Sequence, residues 1–197
     1  MEFTGLDEPA EAITVQNLIL RNNDSEILLV HDKGEPGGKR SGYGMPGGSI
    51  NGFTFESTLN QILKFLPVFR IEFSDFRAVL ETETGIDPLI FLTSLREGIE
   101  ETGFLIRPIR VVLEEATNRN LSSLIANIPH RVVVVQAEIV AGYINKRTVE
   151  TDDCDWFSLS SLPQDLYRSH LERMKKALVG RNIAIAETEE EFCHDKQ

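Results

Sequence analysis

The stretch from Asp87 to Gly103 constrains this chain more than any other. Asp87 stands where an N-cap belongs, Pro88 takes the first helical position, and Gly103 sits where a left-handed cap ends a helix. Leu92, Leu95 and Ile99 form an apolar stripe between them, which predicts a helix from 88 to about 101 with one face in a core. On that helix Glu97, Glu100 and Glu101 are spaced i, i+3 and i+4, so they project from one face. Three neighbouring carboxylates repel one another, and the base at hand is Arg96, spaced to pair with Glu100. Hard divalent cations favour several carboxylate oxygens. A solvated acidic face is the alternative, and the spacing alone leaves the two readings level.

The segments around this helix read mostly as strand. Residues 12–21 and 26–32 are branched, apolar runs joined by Asn22, Asn23 and Asp24, the pattern of a hairpin. A polar, glycine-rich loop (33–42) leads to a short strand and turn over 43–50. Residues 53–66 carry apolar positions at 55, 59, 62, 63 and 66, predicting a helix that Pro67 stops. A second short helix is expected over 74–83, with Ser74 at its N-cap and Gly85 beyond its end. Strands follow at 105–117, 130–144 and 155–159, then a helix over 162–179 with Leu166, His170, Met174, Ala177 and Leu178 near one face. Strands, helices, strands and a closing helix imply an α/β or α+β sandwich. The acidic segment 187–197 is expected to be a disordered tail behind a single domain covering 1–186.

Composition excludes some partners. The 197 residues include 31 acidic and 20 basic side chains, a formal charge of −11. Binding a nucleic-acid polymer through its phosphates needs clustered Lys and Arg, and so does docking on an anionic membrane. No apolar stretch approaches the roughly 20 residues that span a bilayer. The N-terminus is acidic where a signal peptide would be basic. Cys154 and Cys193 lack metal-ligand spacing, so a reduced, cytoplasmic location is the expectation.

Arg96 to Phe104 resembles the second half of the Nudix box, G-x5-E-x7-R-E-U-x-E-E-x-G-U, where U is a bulky aliphatic residue. Tyr43-Gly44-Met45-Pro46-Gly47-Gly48 resembles the aromatic-x-Leu-Pro-Gly-Gly strand that leads into it, and Trp156-Phe157 with Leu162-Pro163 resembles later elements of that family. The likeness spans residues 12 to 179. It implies a Nudix-like α/β/α sandwich with a mixed sheet. Gly48 and Arg96 lie 48 positions apart where the pattern has 14, leaving a 34-residue insertion at about 51–86. This insertion could serve as a lid, a pocket wall or a homodimer interface. The first Glu of the pattern falls on Pro88, and Gly98 replaces a bulky residue. Asp87 or Glu56 would be the substitute carboxylate, although Asp87 is better read as the N-cap.

The resemblance implies hydrolysis of a nucleoside diphosphate linked to another moiety, with Mg²⁺ or Mn²⁺ as cofactor. Glu97 and Glu101 would be metal ligands, Glu100 a further ligand or a base, and Gly48 a backbone carbonyl ligand. Arg96 would hold the carboxylates in place. Lys39 and Arg40, with Lys33, lie in the loop ahead of the Pro-Gly-Gly strand, where they would meet substrate phosphates, with ordinary surface cations as the commoner alternative, and Tyr43 would stack on a base or simply pack. The rival reading is a catalytically silent Nudix-like domain that binds a nucleotide or a protein, and Pro88 favours it. Glu114 and Glu115 end a strand where an extra base could stand, with exposed acids as the commoner alternative. Glu150, Asp152, Asp153 and Asp155 read as a solvated turn, and Cys154 among them as an unreactive thiol.

Overall fold

The structure is a computed structural model that describes residues 12–34, 41–50, 52–117, 129–148, 151–181 and 185. Strands β1 (Ala12–Arg21) and β2 (Glu26–Asp32) form the expected hairpin, with Arg21 opposite Glu26. Asn22, Asn23 and Asp24 all take positive φ (53°, 57° and 63°), a region that Asn and Asp tolerate better than other residues with a Cβ. The two strands pair only next to this turn, at Leu20–Ile27 and Arg21–Glu26, and then part.

That parting sets up the rest. Short β3 (Gly42–Gly44) pairs with β2, and β4 (Gly47–Ser49) pairs antiparallel with β1, so residues 42–49 bridge the gap between the two strands. On its other side β1 runs parallel to β6 (His130–Gly142), which pairs antiparallel with the edge strand β5 (Phe104–Thr117). Strand β7 (Thr151–Ser158) pairs antiparallel with β2. The result is a mixed seven-stranded sheet, ordered β3-β2-β1-β6-β5 with β4 and β7 off that path.

Both faces of the sheet are covered, which explains why β1 and β2 read as near-continuous apolar runs. Ile19, Leu28 and Val30 point to one side, where they meet α1 (Phe55–Val68), α2 (Phe73–Leu80) and α3 (Pro88–Glu97). Leu18, Ile27 and Leu29 point to the other and pack with Leu171, Met174 and Leu178 around α4 (Arg168–Ala177). The architecture is an α/β/α sandwich, with α1 and α2 inserted between β4 and α3. The insertion buries Ile62, Leu66, Phe69, Phe76 and Val79 against Leu92, Leu95 and Ile99.

Several boundaries differ from expectation. Pro67 does not stop α1, which runs to Val68. The proline sits in the last turn, where it removes one backbone N–H bond, while Leu66 and Phe69 on either side are buried. Glu72, not Ser74, is the N-cap of α2, and it makes no side-chain capping bond. Helix α4 begins at Arg168 instead of 162, because the backbone before it is engaged by β3: Tyr43 N–H donates to Asp165 O, and Tyr167 N–H donates to Tyr43 O. Asp152, Asp153 and Asp155 lie within β7, not in a turn. Glu150 and the acidic tail lie outside the described residues.

Candidate active site

Helix α3 starts as the sequence predicts, with the Asp87 carboxylate accepting from Leu89 and Ile90 N–H. Asp87 is therefore the cap and not a stand-in for the missing carboxylate, and Glu56 lies exposed in the first turn of α1. The helix does not run on as a regular α-helix. Gly98–Thr102 forms a π-helical turn that ends at Gly103 with φ 78°. Gly98 packs so tightly on β5 that a Cβ there would lie 2.7 Å from the Ile106 side chain. A bulky residue at this position has no room. The π turn widens the spacing along the helix surface, and the three carboxylates no longer share one regular face.

Two of them turn toward the bridging segment. Glu101 Oε2 accepts from Gly47 N–H at 2.7 Å. Glu97 occupies the space that a side chain at position 48 would need, since a Cβ on Gly48 would fall 2.2 Å from Glu97 Oε1. Both carboxylates are buried, 5% and 8% exposed respectively, whereas Glu100 is only partly buried. Arg96 pairs with Glu97, not with Glu100. Its guanidinium also donates to Ser49 O and Gln61 Oε1, each at 3.3 Å, and lies 4.1 Å from the centroid of the Phe53 ring. The insertion thus supplies two of the partners that hold Arg96. A buried pair, Ser94 Oγ–H to Asn17 Oδ1 (2.5 Å) and Asn17 Nδ2–H to Ser94 O (3.1 Å), fixes α3 to β1.

A cleft of about 480 Å³ opens where β1 and β2 part. Gln16, Asp32, Gly48, Ser49, Glu101 and His170 are among its lining residues. Sequence reasoning missed Gln16 and the cleft role of His170. The signal available for Gln16 was a polar Gln-Asn pair interrupting an otherwise apolar strand.

The other candidates fall elsewhere. The Tyr43 ring makes edge contacts with His31 and Phe157, and its hydroxyl donates to Asp153 at 2.7 Å. Burial, then the Asp153 carboxylate, pushes its pKa above the usual tyrosine value. It does not line the cleft. Lys33 donates to Thr148 O, while Lys39 and Arg40 lie outside the described residues. Glu115 pairs with Arg173 and Lys176, and the Lys176 hydrogen bond holds its carboxyl below the usual range in spite of burial, which is unsuited to a base. The Cys154 thiol is pushed up to about 12, by burial first and by Asp153 and Glu101 next. Asp152 pairs with His31, and Asp155 with Lys146.

The chemistry of the donors suits a hard divalent ion: two buried carboxylates beside a glycine backbone whose missing Cβ lets Glu97 approach. Among the described residues no group of three or more His, Cys, Asp or Glu is arranged to hold a metal ion. Glu97 and Glu101 are the carboxylates that meet the bridging segment.

No family model matches the chain, and no curated protein sequence matches it. Solved structures do. A Nudix hydrolase from Nitrosomonas europaea superimposes with a TM-score of 0.53 at 15% identity, over 88% of this chain and 92% of that one. An ADP-ribose pyrophosphatase from Streptococcus suis gives 0.51 at 17% identity, over 91% and 98%. A UDP-X diphosphatase gives 0.52 at 19% identity, over 90% of this chain and 68% of that one. The chain has the Nudix fold, in agreement with the resemblance of its 43–48 and 96–104 segments.

Proposed function

We propose that the chain is a Mg²⁺- or Mn²⁺-dependent hydrolase that cleaves the pyrophosphate bond of a nucleoside diphosphate linked to another moiety. The observation that carries this reading is the convergence of Glu97 on Gly48 and of Glu101 on Gly47 N–H beside the cleft. The names of two fold neighbours, an ADP-ribose pyrophosphatase and a UDP-X diphosphatase, agree with a substrate of this class. Glu97, Glu101 and the Gly48 carbonyl would hold the ion, with Glu100 as a further ligand or base. A bound divalent ion supplies neutralisation of the diphosphate and a lowered pKa for the attacking water. Arg96 orients Glu97 by a charge-assisted hydrogen bond. No helix among the described residues is long and apolar enough to cross a membrane.

A second reading, a silent domain that binds a nucleotide or a protein partner, is favoured by Pro88 at the first box Glu. The two separate on a panel of nucleoside diphosphate derivatives assayed with Mg²⁺ or Mn²⁺, wild type beside Glu101→Gln. Metal-dependent turnover that the substitution abolishes supports the hydrolase. Binding of a nucleotide without turnover of any panel member supports the silent domain.

A further inference from the structure

Residues 44–48 are gripped from both faces of the sheet. On the α3 side Glu101 accepts from Gly47 N–H, and Glu97 fills the place that a side chain at Gly48 would take. The α4 side has a counterpart. His170 Nδ1 accepts from Met45 N–H at 2.9 Å, so that nitrogen keeps its lone pair. A Cβ on Gly44 would lie 2.8 Å from the same nitrogen. Gly44 therefore vacates space for the His170 ring as Gly48 does for the Glu97 carboxylate. The other ring nitrogen, Nε2, lies 2.9 Å from the Gln16 amide, and Gln16 is the β1 residue that pairs with Gly47. The imidazole thus spans from the bridging segment to the strand on which that segment docks.

The position of this bond along the chain gives it leverage. Tyr43 N–H donates to Asp165 O and Tyr167 N–H to Tyr43 O, which docks the start of α4 on β3 and delivers His170 one turn later. Pro46 has no N–H to donate, its carbonyl accepts from Asn17 N–H at 2.7 Å, and the chain bends there. Met45 N–H is the last backbone donor before that bend, so the bond to His170 sets the direction in which the chain enters it. Peptide units are rigid planes, and few of them separate Met45 from Gly47 and Gly48. A displacement at Met45 is passed on to the backbone that faces Glu97 and Glu101.

We infer that His170 is a positioning residue of the candidate active site, one that fixes the Gly47–Gly48 backbone from the α4 face through its bond to Met45 N–H. Partners that orient the groups around an ion affect its affinity although they never touch it. The inference rests on the proposed function for the ion, though not for the hold on the backbone. It also ties the closing helix to the Glu97 and Glu101 side of the cleft, which α3 alone would otherwise govern.

The test compares the full-length wild type with His170→Asn, His170→Gln and Gly44→Ala. Asn sets its Oδ1 where Nδ1 stands and can accept from Met45 N–H, whereas Gln sets its amide near the place of Nε2 and cannot. Gly44→Ala leaves His170 in the chain but puts a methyl group in the way of its ring. Two quantities are read: amide hydrogen exchange at Met45 and Gly47 by NMR without metal, and the Mg²⁺ concentration that raises the melting temperature at constant ionic strength. His170→Asn should match wild type in both. His170→Gln and Gly44→Ala should exchange faster at Met45 and Gly47 and need roughly tenfold or more Mg²⁺ for the same gain. A folded His170→Gln with wild-type exchange at Gly47 overturns the inference, as does a His170→Asn that loses as much as His170→Gln. Turnover is read separately. Exchange that follows the variants, in a wild type with neither a Mg²⁺ gain nor turnover of any panel member, retains the hold on the backbone and defeats the hydrolase reading. Metal-dependent turnover with exchange and Mg²⁺ response indifferent to the variants does the reverse.

Discussion

Gly48 matters for what it lacks. Its missing Cβ is the space into which the Glu97 carboxylate projects, so Gly48→Ala sets a methyl group against a charged oxygen that Arg96 holds from the other side. Overpacking at a tight site costs about 1–3 kcal/mol. We expect Gly48→Ala to lower the melting temperature and to reduce metal-dependent turnover by at least roughly tenfold, the effect of losing one charge-assisted interaction. An alanine variant with wild-type kinetics would show that Glu97 has no fixed place in the chemistry. His31 makes a different argument. Burial lowers its pKa, but Asp152 and Asp165 outweigh that and leave it raised above 6.5. A raised folded-state pKa means that the ion-pair contribution is complete below the unfolded value near 6.5 and declines as pH rises through the folded value. The partners are exposed, so the contribution is under about 1 kcal/mol. Urea midpoints for wild type and His31→Gln should differ at pH 5.5 to 6 and draw together at higher pH. A gap that widens with pH contradicts the pairing.

Helix α3 shows what local signals can and cannot specify. Asp87, Pro88 and Gly103 mark its limits in the sequence because caps are local chemistry, and both ends stand where those residues predict. The π turn inside those limits is not local. It accompanies the seating of Gly98 on Ile106, eight residues on in the next strand, and that contact has no signature in a run of neighbours. The three-carboxylate face therefore reads correctly from an ideal helix and is redrawn by tertiary packing. Pro67 follows the same logic: propensity ends the helix there, and burial of Leu66 and Phe69 carries it through. The inserted helices were legible from their apolar spacing, but their hold on Arg96 was not. Phe53 and Gln61 belong to that hold, whereas Phe76 belongs to the core. The two roles predict different phenotypes. Phe76→Ala should cost about 3–5 kcal/mol of stability with turnover per folded molecule intact. Phe53→Leu removes the ring face under the guanidinium, a contact worth about 0.5–2 kcal/mol, and should lower kcat more than it lowers stability. Phe53→Tyr keeps the face and should restore kcat. Equal behaviour of the leucine and tyrosine variants would leave Phe53 as packing alone.

The cleft exists because β1 and β2 pair only beside their turn, and residues 42–49 cross the gap between them. Nothing in either strand announces this, since each reads as an ordinary buried run. The sequence shows the carboxylates and the Pro-Gly-Gly segment as separate motifs about 50 positions apart, and only the split sheet brings Glu101 to Gly47. If the proposed ion binds at that convergence, its binding is coupled to the stability of the whole chain. An ion that binds the folded state and not the unfolded one stabilises it by RT ln(1 + [L]/Kd), about 2.7 kcal/mol at a hundredfold excess over Kd. The chain carries a formal charge of −11, so any added salt screens its self-repulsion and raises stability somewhat. The specific effect must therefore be separated from the general one. Melting curves at constant ionic strength, with Mg²⁺ exchanged for Na⁺, isolate it. Wild type should gain several degrees as Mg²⁺ rises into the millimolar range, a shift expected from a few kcal/mol in a chain of this size. Glu101→Gln should lose most of that gain, because the amide keeps the acceptor for Gly47 N–H but not the charge. In the proposed site Arg96 and the ion would share Glu97, so Arg96→Gln should melt lower without metal yet respond to Mg²⁺ at lower concentration. A wild type that shows no difference between Mg²⁺ and Na⁺ would mean that Glu97 and Glu101 serve the fold and not an ion.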